Sequence, residues 1–248
     1  MSPRPAPPLA ESLAAAQAWW REAGVDYGYH DEPLGWLADK EPAGEPTPAA
    51  LPPKPELERH TIGGDRAGWP QDLAAFRRWW LEEPSLDEGG LHPRVAPRGE
   101  SGATLMMLVT MPEAEDRETL LSGPQGRLLA SFAQAAGLAS ESVALAAALP
   151  RHMPLPDWDA LAARGHGETL LHLLALARPQ RLIVFGRGIL PLLGHNPAQG
   201  APAVSELSIQ GRPLPLLWTY APENLLKSDR ERATLWRRWL EWTDGGNE

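Results

Sequence analysis

The chain has 248 residues, 23 Lys and Arg against 32 Asp and Glu, a formal net charge of −9, 27 Pro, 11 Trp and no Cys. At roughly 150 residues per domain this is one domain with extensions or two small ones, and the missing Cys excludes disulfides, thiolate zinc sites, iron–sulfur clusters and cysteine nucleophiles. The acidic balance argues against a broad nucleic-acid surface but leaves room for a small basic patch, because phosphate binding is driven by clustered Lys and Arg.

Residues 1–8 (MSPRPAPP) cannot form a helix and carry no signal-peptide pattern. No apolar run approaches the roughly 20 residues of a membrane helix, so a cytoplasmic protein with no membrane partner is expected. The stretch LAESLAAAQAWWREAG then places Leu13, Ala16, Trp19 and Trp20 at helical spacing, with Gly24 as C-cap. With Trp36, residues 1–40 read as a Trp-rich helical arm, and the Pro-rich residues 41–60 as an extended linker. Residues 61–248 form the main domain. Its first strand is TLMMLVT at 104–110, an apolar run suited to burial on both faces. A helix is predicted at 126–136. The run SVALAAAL at 142–149 is ambiguous by composition, but its shortness and the stop at Pro150 favour a strand. A Leu-rich helix spans 159–177, and RLIVF at 181–185 is the strongest strand signal. A helix follows Gly186-Arg187-Gly188. LPLLWTY at 214–220 is the last strand, and Ser228 or Asp229 caps a final helix with Leu235, Trp236, Trp239 and Leu240 on one face. Strands alternating with helices give a three-layer α/β/α fold around a mostly parallel four-stranded sheet. Ligands in such sheets sit outside the carboxyl ends of the strands, which directs attention to the loops after Thr110, Pro150, Phe185 and Tyr220.

Motif searching finds neither G-x-x-x-x-G-K-[ST] nor G-x-S-x-G. Gly186-Arg187-Gly188 lacks the third Gly of a dinucleotide fingerprint and reads as a tight strand-to-helix turn. His166 and His172, six apart, do not share a helical face as metal ligands. Asp159 reads as a helix cap rather than an acid–base partner of Asp157. Trp79-Trp80 and Trp236, Trp239 and Trp242 suit base stacking, a docking face or the core, and their helical spacing favours the core. No catalytic constellation emerges from these searches alone.

Four segments, in order, nonetheless resemble the family-four branch of the uracil-DNA glycosylases and its alphaproteobacterial-type relatives, from about Trp69 to Trp242. VAPRGESGATLMMLV at 95–109 resembles the approach to the family's first strand. MPEAEDRETLLSGPQGRLL at 111–129 is similar to its water-activating loop (G-E-A-P-G, E-D, P-F-V-G, G-x-L-L). LALARPQRLIVFGRGILPLLG at 174–194 is similar to its third-strand segment. TYAPENLLKSDRERATLW at 219–236 resembles T-Y-H-P-x-x-L-L and the following helix. The EAGVDY that ends the arm is similar to extensions of those bacterial relatives.

The resemblance implies base flipping and glycosidic-bond cleavage. It requires a polar residue on the first loop, an aromatic stacked on the base, an Asn reading the base edge, and a His donating to the departing uracil. This sequence departs at each position. Thr110 stands before Met111-Pro112 on a shortened loop, Leu121 replaces the stacking Phe, Ala147 the Asn, and Ala221 the His. The four cluster-binding Cys are missing, so neither the iron–sulfur centre nor any other cofactor or metal is expected. The expectation is a glycosylase-like fold with lost or strongly reduced activity in DNA repair or replication. Tyr220, Pro222, Leu225, Leu226 and Lys227 match the part of the family that inserts into DNA, with Arg230 and Arg232 toward phosphates; alternatively Leu225 and Leu226 cap the core. A second possibility is a replication or repair adaptor, since the arm–tether–domain layout resembles the clamp-loader psi subunit. A third is an enzyme with a relocated carboxylate at Glu113, Glu115 or Asp116.

Overall fold

The structure, a computed structural model, describes residues 8–24, 61–194 and 203–244. Trp36 and the predicted 41–60 linker lie outside them. The chain divides into two units, residues 1–55 and 56–248. In the first, α1 (Leu9–Glu22) forms where the helical spacing predicts it, and Gly24 at φ 75° follows its last turn. None of its residues is buried.

In the second unit, α2 (Leu73–Glu82) precedes β1 (Leu105–Val109), α3 (Pro124–Ala135), β2 (Val143–Ala147), α4 (Trp158–Ala163) and α5 (His166–Ala177). There follow β3 (Arg181–Phe185), a 3-10 segment Arg187–Leu193, the hairpin β4 (Val204–Ile209) and β5 (Arg212–Thr219), then α6 (Pro222–Lys227) and α7 (Asp229–Asp244). The sheet order is β2-β1-β3-β5-β4. Its first four strands are parallel, and β4 runs antiparallel to β5. The three-layer α/β/α architecture is therefore as expected, with five strands rather than four.

The extra strand has a physical reason to escape a search for apolar runs. β4 is an edge strand that buries only Leu207 and Ile209. Its turn is Gln210-Gly211, both left-handed (φ 51° and 79°), the geometry of a two-residue hairpin. Two other boundaries also move. The predicted 159–177 helix breaks at Gly165 (φ 85°), and Asp157, not Asp159, caps α4 by accepting from the Ala160 N–H at 2.9 Å. Ser228 caps α7 through the Glu231 N–H at 3.3 Å.

Alternation along the strands sends side chains into two cores. Met106, Leu108, Leu182 and Val184 pack with Phe76 and Trp80 of α2 and Leu170, Leu173 and Leu174 of α5. Leu105, Met107, Ile183, Phe185 and Leu217 pack with Leu129 of α3 and Leu235 and Trp239 of α7. Trp80 and Trp239 are thus core residues; the Trp80 indole N–H donates to the Val95 carbonyl at 3.2 Å. His166 is fully buried and its Nε2 donates to the Ala148 carbonyl at 2.5 Å, while burial pushes its pKa below the ordinary imidazole value. Among the described residues no helix is long and apolar enough to cross a membrane.

Candidate functional site

Three carboxyl-edge segments meet at one point. Thr110 follows β1, Gly186 follows β3 and Ala221 follows β5. A Cβ placed on Gly186 would lie 2.8 Å from Thr110 Cγ2 and 3.8 Å from the Ala221 Cβ. Gly186 also has φ 103°, so only glycine admits this approach without strain. The two positions singled out from the first and last loops are therefore neighbours, and each presents a methyl group to Gly186. Backbone bonds hold the first of them: the Leu149 N–H donates to the Thr110 carbonyl at 3.0 Å and the Ala148 N–H to that of Val109 at 2.8 Å. Ala147, which ends β2, is buried in the core together with Leu121.

The loop after β1 is built around two acidic side chains. Asp116 is 1% exposed and accepts from four donors: the N–H groups of Glu113 (2.9 Å), Leu121 (2.7 Å) and Ser122 (2.8 Å), and the Ser122 hydroxyl (2.7 Å). These bonds hold Leu121 at φ 56°, a conformation that costs a branched residue roughly 1–2 kcal/mol. Glu113 turns toward the start of α3, where its Oε1 accepts from the Gln125 N–H. Its Oε2 is buried without a hydrogen-bond partner. Burial pushes the Glu113 carboxyl above its ordinary value, opposed by the Gln125 backbone bond. Both glycines of SGPQG are closely packed, Gly126 against backbone and Gly123 against the Glu113 carboxylate. A Cβ on Gly123 would stand 2.2 Å from Glu113 Oε2, and one on Gly126 1.8 Å from the Leu121 carbonyl oxygen. Met111 is half-buried and Pro112 buried, so the loop lies against the domain; Glu115 is exposed.

His92 and His152, which no sequence motif marks, flank this loop. Their ring centroids are 4.9 Å apart. His92 Nδ1 donates to the Ala114 carbonyl at 3.1 Å and His152 Nδ1 to that of Pro112 at 3.0 Å. Carbonyls only accept, so both protons sit on Nδ1 and the Nε2 atoms carry the lone pairs in the neutral rings. Behind them Asp87 binds Arg94 (3.1 Å) and Arg151 (2.8 Å), and the Arg151 guanidinium donates to the carbonyls of Gly90 and His92. His152 follows Pro150, at a loop the strand pattern had already marked; His92 gives no such signal. Among the described residues no cluster of three or more His, Asp or Glu is placed to hold a metal ion.

The segment after β5 divides by exposure. Tyr220 (38%) and Leu226 (40%) are exposed, as is Lys227, whereas Pro222 and Leu225 are buried, Leu225 completely. Leu225 therefore packs in the core, and the exposed residues of the segment include Tyr220, Leu226 and Lys227. Arg232 turns inward to the Leu225 carbonyl at 2.6 Å and pairs with Asp229, while Arg230 is exposed. No family model matches the chain, and no curated protein matches it.

Proposed function

We propose that this protein has a uracil-DNA glycosylase-like scaffold whose base-excision activity is lost or strongly reduced, and that it acts in DNA repair or replication by contacting DNA. The observation that carries the reading is the meeting of Thr110 and Ala221 over Gly186. The resemblance assigns these two positions to the first loop's polar residue and to the His donor. A positioned acid–base group is worth about 10²–10⁴ in rate. A preorganised donor to a developing anion is worth about 10²–10³. Ala221 supplies no proton and no donor, and the Thr110 hydroxyl, a neutral donor, does not replace a carboxylate or an imidazole as an acid–base group. Of the two buried carboxylates on that loop, Asp116 is saturated by its four donors, and Glu113 is turned to α3 through Oε1, with its Oε2 left unpartnered.

DNA contact is assigned to Tyr220, Leu226 and Lys227, with Arg230 toward phosphates. The test is a gel shift with single- and double-stranded DNA at low salt. Weak binding is expected, steeply salt-dependent, and Lys227→Ala should lower the salt slope by about one charge. Absence of binding at low salt would remove the DNA reading.

A second reading, a replication or repair adaptor, is favoured by α1. Leu9 (86%), Leu13 (60%), Trp19 (64%) and Trp20 (51%) are all exposed. Trp is over-represented among residues that dominate binding energies. In this reading the arm binds a protein partner, in a layout that resembles the clamp-loader psi subunit.

A further inference from the structure

A groove of about 570 Å³ opens between α3 and the edge strand β2. Its floor is apolar: Met107 of β1 and Val143 and Leu145 of β2. Its wall is α3, where Gly126, Ala130 and Ala133 stand at i, i+4 and i+7 and so share a helix face. Side chains this small do not reach across to the edge strand. Val143 is accordingly only half-buried, as is Leu138, which also lines the groove. The volume lies within the range of small-molecule sites, which are mostly apolar with a few polar groups that fix orientation. None of the positions to which the resemblance gives a role lines it.

A second, independent observation is the cation at its rim. Arg98 lines the groove and is exposed, and its guanidinium has no hydrogen-bond or ion-pair partner among the described residues. Its backbone, by contrast, is fixed on the edge strand. The Arg98 N–H donates to the Leu145 carbonyl at 2.9 Å, and the Leu145 N–H donates back to the Arg98 carbonyl at 2.8 Å. The next residue, Gly99, accepts from the Arg77 guanidinium and is packed so closely that a Cβ there would lie 2.5 Å from Ala144 Cα. Arg98 thus has a rooted stem and a free head above an apolar floor. Among the described residues no Asp or Glu lines the groove, although Glu100 and Glu141 adjoin lining residues in sequence.

We propose that this groove binds a small amphipathic carboxylate. Its apolar body covers Val143, Leu145 and the small face of α3, and its carboxylate pairs with Arg98. One guanidinium matches the single charge of a carboxylate, and its planar fork fits the two oxygens. Charge alone does not suffice, because an exposed ion pair contributes little. Burial of the apolar body supplies most of the affinity, and Arg98 selects the acid over its neutral analogue. Straight-chain and aromatic acids share this chemistry.

Ligand-observed NMR titration of the full chain tests this with acetate, octanoate, decanoate, octan-1-ol and 4-phenylbutanoate. Octanoate should bind saturably and acetate should not. Decanoate should gain up to about fourfold for each further CH₂ that the groove buries. Octanoate should bind several-fold more tightly than octan-1-ol, and Arg98→Gln should remove that preference while the alcohol still binds. Ala130→Trp fills the groove from an exposed helix position. It should weaken every longer ligand by about tenfold or more, with a melting temperature within about 2 °C of wild type. Tighter binding of the straight-chain acids identifies an aliphatic ligand, and tighter binding of 4-phenylbutanoate an aromatic one. No saturable binding of the three longer acids, equal affinity for octanoate and octan-1-ol, or binding that neither substitution changes overturns the proposal.

Discussion

Replacing Asp87 with Ala should destabilise the protein by about 3–5 kcal/mol, the cost of stranding buried charge. The Asp87 side chain is 3% exposed and those of Arg94 and Arg151 are 10% and 12%. Arg94 binds it in bidentate fashion through Nε and Nη2 at 3.1 Å each, and Arg151 through Nε at 2.8 Å. The guanidiniums also satisfy the carbonyls of Leu81 and Glu83, and of Gly90 and His92. Removing the carboxylate leaves two cations without their counter-ion and loosens the segment that carries His92. The effect carries a pH signature. Burial by itself would raise the Asp87 pKa, but the bonds from Arg94 and Arg151 outweigh it and hold the carboxyl below its ordinary value. A lowered folded-state value stabilises above the unfolded pKa of about 3.9 and stops doing so as pH falls through the folded value. Urea unfolding should therefore show the full gap between wild type and Asp87→Ala at pH 7, and a shrinking gap below about pH 4. A gap under about 1 kcal/mol at pH 7 would mean that the two arginines find other partners at little cost.

Asp116→Ala should cost about 3–5 kcal/mol, and Asp116→Asn nearly as much despite its shape. The alanine variant orphans the N–H groups of Glu113, Leu121 and Ser122, at roughly 1–3 kcal/mol for each buried donor. The asparagine variant turns one acceptor oxygen into an amide donor that faces donors. Leu121 then has nothing to hold its left-handed backbone, and the loop that carries Met111 and Pro112 loses its anchor. For a unit of this size each kcal/mol moves the melting temperature by about 2–4 °C, so thermal unfolding resolves the effect. An Asn variant that melts like wild type would show that two of the four acceptor contacts suffice.

The sequence disclosed most clearly what depends on continuous burial. β1 and β3 are apolar without interruption because both faces of the sheet are covered, and both lie where their runs predict. β4 sits at the edge with alternate residues in solvent, so its sequence carries no continuous apolar run. The α4–α5 break was hidden by leucines that continue across Gly165. At the site, the approach of Thr110 and Ala221 follows from the strand–helix alternation, which sends the loops after β1 and β5 to one edge of a parallel sheet. The carboxylates of the first loop were visible as residues, but their work was not. Whether Asp116 faces solvent or four backbone and hydroxyl donors depends on the path of the chain between 113 and 122. His92 was illegible for a similar reason: its partner carbonyl, at Ala114, belongs to another loop.

The proposed loss or strong reduction of base excision is measured directly by release of free uracil from single- and double-stranded uracil-containing DNA. Purified wild-type protein should release base at least about 10⁴-fold more slowly than an active uracil-DNA glycosylase, with Thr110→Ala indistinguishable from wild type. Multiple turnover by the wild-type protein that Thr110→Ala abolishes would contradict the claim and place a working group at the junction with Gly186.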